Sequence, residues 1–569
     1  MIGAKVLFNR LVKKGTKYVF GYPGGAILPV LNEFYNQNSI KYILTRTELG
    51  GSFMAEGYAK ATKEPGVIMV TSGPGALNIM TSMQNALSDG TAVLALTGQV
   101  STTVLGTDAF QEADIVGISK ACTKWNAMIT DPSKIELTVD RAYEYMTSTR
   151  HGPVLLDLPK NIMSSLAGVQ DTYVSKSLVK KDDSTVSYNQ IYSLILHSRR
   201  PIVLVGQGVF QSDCVDLLRV FLDTYNLPVT TTLLALGAEH EQHWRSLKML
   251  GMHGSYAANM AIQGCDLLLN FGSRFDDRII GNPTLFAPSC KIVHIDVLQK
   301  NINKTVRTEL YRVEDCRTVL EGLLEMPKPA KISYQTAEWW ARIREWKTTR
   351  FSFPTGGPLQ GRRVLACLNE LIQGFRKYSY TIVADVGAHQ MWAAQFIDYN
   401  YPRVKFVTSG GLGSMGFALP AAIGVKLGLP DDRVICICGD GGFQMTFQEL
   451  STAIENGIGI KVIILNNSYQ LMVKIWQEKF YNNQTIGTKM NNPPFELVCR
   501  ALGCEAWRIE TTGGLKTTLQ KFLEHDGPIV LNVITDSSES VLPMVSPGKA
   551  LDDMILEESV GSLKGDAPC

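Results

Sequence analysis

GDGGFQMTFQELSTAIENGIGIKVIILNN, residues 439–467, sits between two continuous apolar runs, VICIC before it and KVIIL within it, and ends each strand on an oxygen-bearing side chain, Asp440 and Asn467. Runs apolar on both faces suit strands of a doubly covered parallel sheet, and a helix between two of them makes a βαβ unit. Asp440 and Asn467 then emerge at neighbouring strand carboxyl ends, where open α/β sheets bind ligands. One carboxylate, one amide and a backbone carbonyl suit Mg²⁺, which fills its octahedral shell with phosphate oxygens and water. Gly439, Gly441 and Gly442 let backbone N–H groups approach a phosphate. The stretch therefore predicts a diphosphate held through a divalent cation. Its GDG alone reads as an ordinary turn, and the weight lies in the pairing with the Asn-Asn one helix and one strand later.

The same order of strand, glycine turn, helix and strand recurs in VIMVTSGPGALNIMTSMQNALSDGTAVLALTGQ, which begins at Val67. Two such units far apart predict two related α/β domains, at 1–165 and 357–540. Between them PIVLVGQGVF, LPVTTTLL, DLLLNFGSRFDDR and KIVHID are apolar strands at α/β spacing, which predicts a third domain at 188–326. Polar stretches at 166–187 and 327–357 read as linkers, the second passing a Trp-rich helix at 338–347. Residues 541–569 form a tail that either covers a site or stays mobile. The fold class expected is three Rossmann-like α/β domains with mainly parallel sheets.

A chain of 569 residues exceeds one core. Lys plus Arg number 55 against 53 Asp plus Glu, a balance that offers no electrostatic footprint for nucleic acid or an anionic membrane. The 11 cysteines contain no CxxC pair, which argues against a zinc site and for a reducing compartment. No apolar run reaches a membrane span, and MIGAKVLFNRLVKKG reads as an amphipathic helix rather than a secretory signal. A soluble protein of the cytoplasm is expected, or of a mitochondrial or plastid matrix if a transit peptide has been removed.

FGYPGGAILPV (20–30), GTDAFQEADIVGIS (106–119), LPKN (158–161), LGMHG (250–254), RFDDR (274–278), QMWAAQ (390–395), TSGGLGSMGFALPAAIG (408–424) and LPMV (542–545) extend the pattern along the chain. Together with 439–467 they resemble the catalytic subunit of acetohydroxyacid synthase, also called acetolactate synthase, a thiamin-diphosphate-dependent family. The resemblance implies pyrimidine-binding, central FAD-binding and diphosphate-binding domains, with thiamin diphosphate, Mg²⁺ and FAD as cofactors. It implies a homodimer or homotetramer with sites between chains, and a small regulatory subunit as a further partner. Its reaction would decarboxylate pyruvate and condense the hydroxyethyl carbanion with a second 2-oxo acid, pyruvate or 2-oxobutyrate. The product would be 2-acetolactate or 2-aceto-2-hydroxybutyrate, in branched-chain amino-acid biosynthesis.

The resemblance also assigns roles. Read locally, Glu48 is a solvated carboxylate, Met415 core filling, Arg278 a surface arginine and Trp476 a packed aromatic. By resemblance Glu48 is the acid bonded to the aminopyrimidine ring, and Met415 is the apolar wedge that keeps the cofactor bent. Arg278 takes the carboxylate of the second substrate, and Trp476 walls the extra methyl of 2-oxobutyrate. Gln111 and Lys160, with Phe110, line the access channel. Asp440, Asn467 and the Tyr469 carbonyl hold the metal. Tyr22, Pro23, Gly24 and Gly25 belong to the pyrimidine side. Val386, Gly387, His389, Gly413, Gly441, Gly442, Gln470 and Met472 lie along the diphosphate and thiazolium. Gly206, Gly208, Arg274, Asp276 and Asp296 contact FAD, with Met252 and Met391 approaching the flavin.

Several neighbours depart from the family pattern. Thr47 and Leu49 stand where His and Gln are usual, Leu77 replaces a Thr, Ala388 a Gln, Leu471 a Gly and Ser101 a Pro, and the loop at Glu314 and Asp315 lacks a Gly. If the glycine replaced by Leu471 carries a positive φ, the metal loop is expected to be rearranged or strained. Two alternatives stand beside the synthase: a pyruvate oxidase or 2-oxo acid decarboxylase of the same fold, and a catalytically weakened cofactor-binding paralogue.

Overall fold

The computed structural model describes residues 1–35, 37–168, 184–328, 336–348 and 358–556. Most of the first expected linker (169–183), parts of the second (329–335 and 349–357) and the end of the tail (557–569) lie outside the described residues.

Three six-stranded sheets carry the chain, and every pairing within them is parallel. In the first, strands lie in the order Lys41–Leu44, Tyr18–Gly21, Gly66–Val70, Val93–Gln99, Val154–Pro159 and Trp125–Met128. The second has the order Leu310–Val313, Lys291–Asp296, Leu267–Phe271, Pro201–Val205, Val229–Thr231 and Ser246–Met249. The third runs Val404–Thr408, Tyr380–Ala384, Arg433–Gly439, Lys461–Asn466, Ile529–Ile534 and Glu505–Ile509. The central strands are buried along their whole length, which is why they read as unbroken apolar runs. The α/β expectation therefore holds, and so does the echo: Gly66–Val70 lies beside Val93–Gln99 as Arg433–Gly439 lies beside Lys461–Asn466. In the latter pair Gly439 faces Leu465, so Asp440 and Asn467 emerge at one end of the sheet.

The first and third sheets are joined by the helices Glu48–Thr62 and Ala418–Gly428, which form the most extensive helix contact among the described residues. A Cβ on Gly57 would lie 2.2 Å from the Ala421 carbonyl oxygen, and one on Gly424 would lie 1.9 Å from that of Met54. Small residues at both crossing points let the backbones touch. Beside this contact Lys60 pairs with the fully buried Asp89 and Glu56, its own side chain 7% exposed, and donates to the Thr408 carbonyl at 2.7 Å. Asp89 accepts from Gly410 N at 3.1 Å and Gly411 N at 2.6 Å, while Asn85 donates to Glu56 and accepts from Ser409 Oγ. This charged cluster therefore holds the loop after strand Val404–Thr408 from the opposite domain.

The Trp-rich helix spans Ala337–Trp346, with Trp339, Trp340 and Ile343 buried against the second sheet's core. The described part of the tail packs on the central domain. Met544–Val545 pairs antiparallel with Met554–Ile555, Val545 N donates to the Met252 carbonyl at 2.8 Å, and Asn282 N donates to Lys549 O at 3.0 Å. Among the described residues no helix is long and apolar enough to cross a membrane.

Glu241 is buried at the seam between the second and third sheets, where Tyr399 N donates to it at 3.2 Å and its other oxygen has no partner. Burial raises its pKa from 4.5 to about 8, against the opposing pull of Lys248 and with Asp398 reinforcing the rise. The folded state thus keeps a proton that the unfolded chain releases first. This contribution to stability is complete below pH about 4.5 and is lost progressively as pH rises through about 8. Glu241→Gln keeps the neutral shape and removes that slope. In urea unfolding across this range its stability relative to the unsubstituted protein is expected to improve steadily with pH.

Candidate active site

A cavity of about 900 Å³ opens where the three domains meet. Of the residues expected at a flavin, Gly206, Gly208, Met252, Arg274, Asp276, Asp296 and Met391 all line it. Val386, Gly387, Gly413, Met472, Arg278 and Trp476 line the same space. Gly206 and Gly208 are required by a backbone crossing. A Cβ on Gly206 would lie 2.2 Å from the Gly272 carbonyl oxygen, and one on Gly208 would lie 2.7 Å from Gly272 Cα. The turn expected to face a dinucleotide is thus shaped by its neighbour turn, and Ser212 beyond it donates to Asp315 at 2.8 Å. Asp296 accepts from Leu298 N and from Asn301 Nδ2, which fixes its carboxylate at the cavity rim. Asp276 caps the short helix Asp277–Ile280, and burial raises its pKa while Arg274 opposes the rise. Arg278 in that helix is largely exposed and reaches Met252 Sδ at 3.3 Å. Trp476 stacks edge-on against Phe480, with ring centroids 5.4 Å apart.

Gly387 also walls the cavity, and it touches His389, which in turn lies against Gly439 at the start of the metal-competent turn. His389 is buried, its Nε2 has no partner, and burial lowers its pKa to about 4. Asp440 begins the helix Asp440–Thr446. Its Oδ1 takes only the adjacent Gly441 N, whereas Oδ2 takes Ser468 N at 2.8 Å and Asn492 Nδ2 at 2.7 Å. Burial raises the Asp440 pKa. Asn467 Oδ1 accepts from Tyr469 N at 3.0 Å across a turn in which Ser468 has φ 59°. Gly441 and Gly442 make room for Gln470 and Asp385, whose side-chain atoms lie 2.3 and 2.8 Å from where a Cβ would stand. Among the described residues no three His, Cys, Asp or Glu side chains cluster as a metal site, so a cation here draws on amide, carbonyl and phosphate oxygens. The unpartnered imidazole nitrogen, the glycine cradle and the open Asp440 oxygen fit a magnesium diphosphate.

The pyrimidine-side residues lie elsewhere. Glu48 is the first residue of its helix, half-buried, and accepts from Asn78 Nδ2 at 3.1 Å. Tyr22, Pro23 and Gly25 are exposed, and Gly24 lies against Thr71, whose buried hydroxyl has no partner. Gln111 adopts φ 61° beside the fully turned-out Phe110, and Lys160 is exposed at the end of strand Val154–Pro159. None of these residues lines the cavity, and no described hydrogen bond links Glu48 to the Asp440 cluster. Met415 lies between them in sequence space, half-buried after the loop that Asp89 holds.

The three sheets match three family descriptions in turn: the thiamine pyrophosphate enzyme N-terminal TPP binding domain over residues 1–118, the central domain over 188–323, and the C-terminal TPP binding domain over 385–533. The mitochondrial acetolactate synthase of Schizosaccharomyces pombe is 41% identical, covering 98% of this chain and 87% of its own. That of Saccharomyces cerevisiae is an acetolactate synthase catalytic subunit, 39% identical over 98% of this chain and 84% of its own. The acetolactate synthase large subunit of Lactococcus lactis is 38% identical over 97% and 96%.

The chain belongs to the acetolactate synthases.

Within this acetolactate synthase family member, three residues were invisible as motifs. Arg150 lines the cavity and donates to the carbonyls of Leu87 at 2.9 Å and Ser88 at 2.6 Å. Burial lowers its pKa to about 10, with the like charge of Arg274 adding to the fall. Two guanidinium groups facing one cavity suit the diphosphate of a dinucleotide. Asp385 accepts from Val386, Gly416 and Ala418, holding the segment that follows Met415, and burial raises its pKa to about 6. Asn492 orients the Asp440 carboxylate. No periodicity or spacing marks these three, because each acts through a fold-made encounter.

Leu471, Ala388 and Leu49 each take an ordinary place in the fold. Leu471 is the first residue of the helix Leu471–Phe480, is buried, and is absent from the left-handed region, so the expected strain does not arise there. Ser468, three residues earlier, carries a positive φ. Ala388 is buried at the start of its helix, and Leu49 packs on the core shared by the first and third sheets. Arg150→Met is expected to weaken FAD retention by about 10- to 100-fold, the worth of hydrogen bonds to a charged group. Bound flavin absorbance after gel filtration measures it, with Arg150→Lys intermediate.

Proposed function

We propose that the protein is the catalytic subunit of an acetolactate synthase. It joins the two-carbon unit left by decarboxylation of pyruvate to a second 2-oxo acid, making 2-acetolactate from pyruvate or 2-aceto-2-hydroxybutyrate from 2-oxobutyrate. The observation that carries this is the near full-length kinship to acetolactate synthases in a chain whose cavity has both Arg278 and Trp476 on its wall.

Thiamin diphosphate, when bound, supplies an electron sink for breaking and making the carbon–carbon bonds. Asp440, Asn467 and the Tyr469 carbonyl would hold its magnesium, and Gly441, Gly442, His389 and Gln470 its diphosphate. Val386, Gly387, Gly413 and Met472 would line the thiazolium, with Met415 as wedge. Tyr22, Pro23, Gly24 and Gly25 would bound the aminopyrimidine, where Glu48 shares a proton with a ring nitrogen. Arg274, Asp276, Asp296, Met252 and Met391 would hold FAD, with Gly206 and Gly208. The exposed Arg278 guanidinium offers two parallel donors to a carboxylate, and the Trp476 face distinguishes a methyl by about 1 to 3 kcal/mol. Gln111 and Lys160 would guard the approach.

The open Glu48 side and the separate Asp440 cluster suit a homodimer or homotetramer in which one chain completes the site of another. A regulatory subunit and a mitochondrial or plastid matrix location belong to the same reading, as does the division at 1–165, 188–326 and 357–540.

With pyruvate, thiamin diphosphate, Mg²⁺ and FAD, the protein should form acetolactate, read as acetoin after acid. Acetaldehyde or flavin reduction would instead mark a decarboxylase or oxidase, and absence of product a cofactor-binding paralogue. Glu48→Gln should lower turnover by about 10² to 10⁴, the usual worth of one positioned acid or base.

A further inference from the structure

Glu449 ends the 3₁₀ turn Phe447–Glu449 that continues directly from the helix begun by Asp440. It is fully buried, and its carboxylate points out of its own domain. Arg46 N donates to it at 3.2 and 3.1 Å, Thr47 N at 2.9 Å, Thr47 Oγ1 at 3.0 Å and Thr452 Oγ1 at 2.9 Å. No described ion pair involves it: the Arg46 guanidinium turns to Glu455 instead. Thr47 is the N-cap of the helix Glu48–Thr62, and its hydroxyl also accepts from Gly50 N at 2.9 Å. One hydroxyl thus relays the carboxylate to the first helical turn. The helix leaves a socket for it, since a Cβ on Gly50 would lie 2.2 Å from Glu449 Oε1.

We propose that Glu449 is a positioning residue for Glu48, locking the first turn from which that side chain departs. Thr47, which departs from the usual His, is the hydroxyl that makes the lock. Anions at a helix N-terminus satisfy orphan N–H groups and oppose the macrodipole, so the carboxylate fixes both the start and the direction of the helix. The segment that carries Asp440 and the helix that carries Glu48 are then one mechanical unit within a chain. The inference rests on the reading of Glu48 as the acid at the aminopyrimidine.

Two measurements test it. In cofactor-free protein, Glu449→Ala and Gly50→Ala should speed amide hydrogen exchange at residues 46–50 by about 10-fold or more, leaving 54–60 protected. With thiamin diphosphate and Mg²⁺ saturating, exchange of the cofactor C2 proton should slow by about 10- to 100-fold, and kcat with it. KM for pyruvate should move less than about threefold, as a transition-state effect requires. Glu449→Gln, which keeps one acceptor oxygen, should fall between, and it decides the matter with Gly50→Ala if Glu449→Ala does not fold. Native C2 exchange in folded Glu449 and Gly50 variants, alongside its collapse in Glu48→Gln, would overturn the positioning role alone. Native C2 exchange in Glu48→Gln would remove both.

Discussion

The buried pairing of Lys60 with Asp89 and Glu56 is the constraint on which the rest of the molecule depends. Its three charges are out of water, and the attraction offsets desolvation only while each partner is present and hydrogen-bonded. The remaining acceptor capacity of Asp89 goes to Gly410 N and Gly411 N, and the remaining proton of Lys60 to Thr408 O. The first domain therefore dictates the path of a loop in the third. That loop forms one wall of the cavity and leads into Met415, so the geometry of the candidate site is set from a domain away.

The same economy of contact explains the glycines. Gly57 and Gly424 let two helices touch, and Gly206 and Gly208 let two turns cross. Gly441 and Gly442 admit Gln470 and Asp385 to the strand ends. Gly206, Gly208, Gly441 and Gly442 read in sequence as ligand-binding turns. The structure adds that several are demanded by protein packing whether or not a cofactor is bound, since a Cβ would meet backbone or a buried side chain.

The residues expected at the cofactor fall into two groups within the chain. The cavity and the Asp440 cluster are continuous through Gly387 and His389, whereas Glu48, Tyr22 and Gln111 open elsewhere. The two groups are nevertheless tied within the chain by Glu449, which joins the metal-competent segment to the helix of Glu48. A carboxylate with four donors and a glycine-shaped socket is a stiff link, so displacement of one group would be felt at the other.

Much was legible before folding. Unbroken apolar strands beside glycine turns specify parallel α/β units because a strand covered on both faces has no polar side to show, and the repeat of the unit specifies two related domains. Asp440 and Asn467 could be placed together because strand ends in a parallel pair emerge at one edge. What only tertiary structure decided are encounters between residues far apart along the chain, 52 positions for Asn492 and Asp440 and 402 for Glu449 and Thr47. Arg150 beside Arg274, Asn492 on Asp440, and Glu449 on Thr47 have no local signature, since hydrogen bonds and burial depend on distance in space and not along the chain. The strain expected at Leu471 is likewise absent, because Leu471 opens a helix outside the left-handed region and Ser468, three residues earlier, is the turn residue with a positive φ.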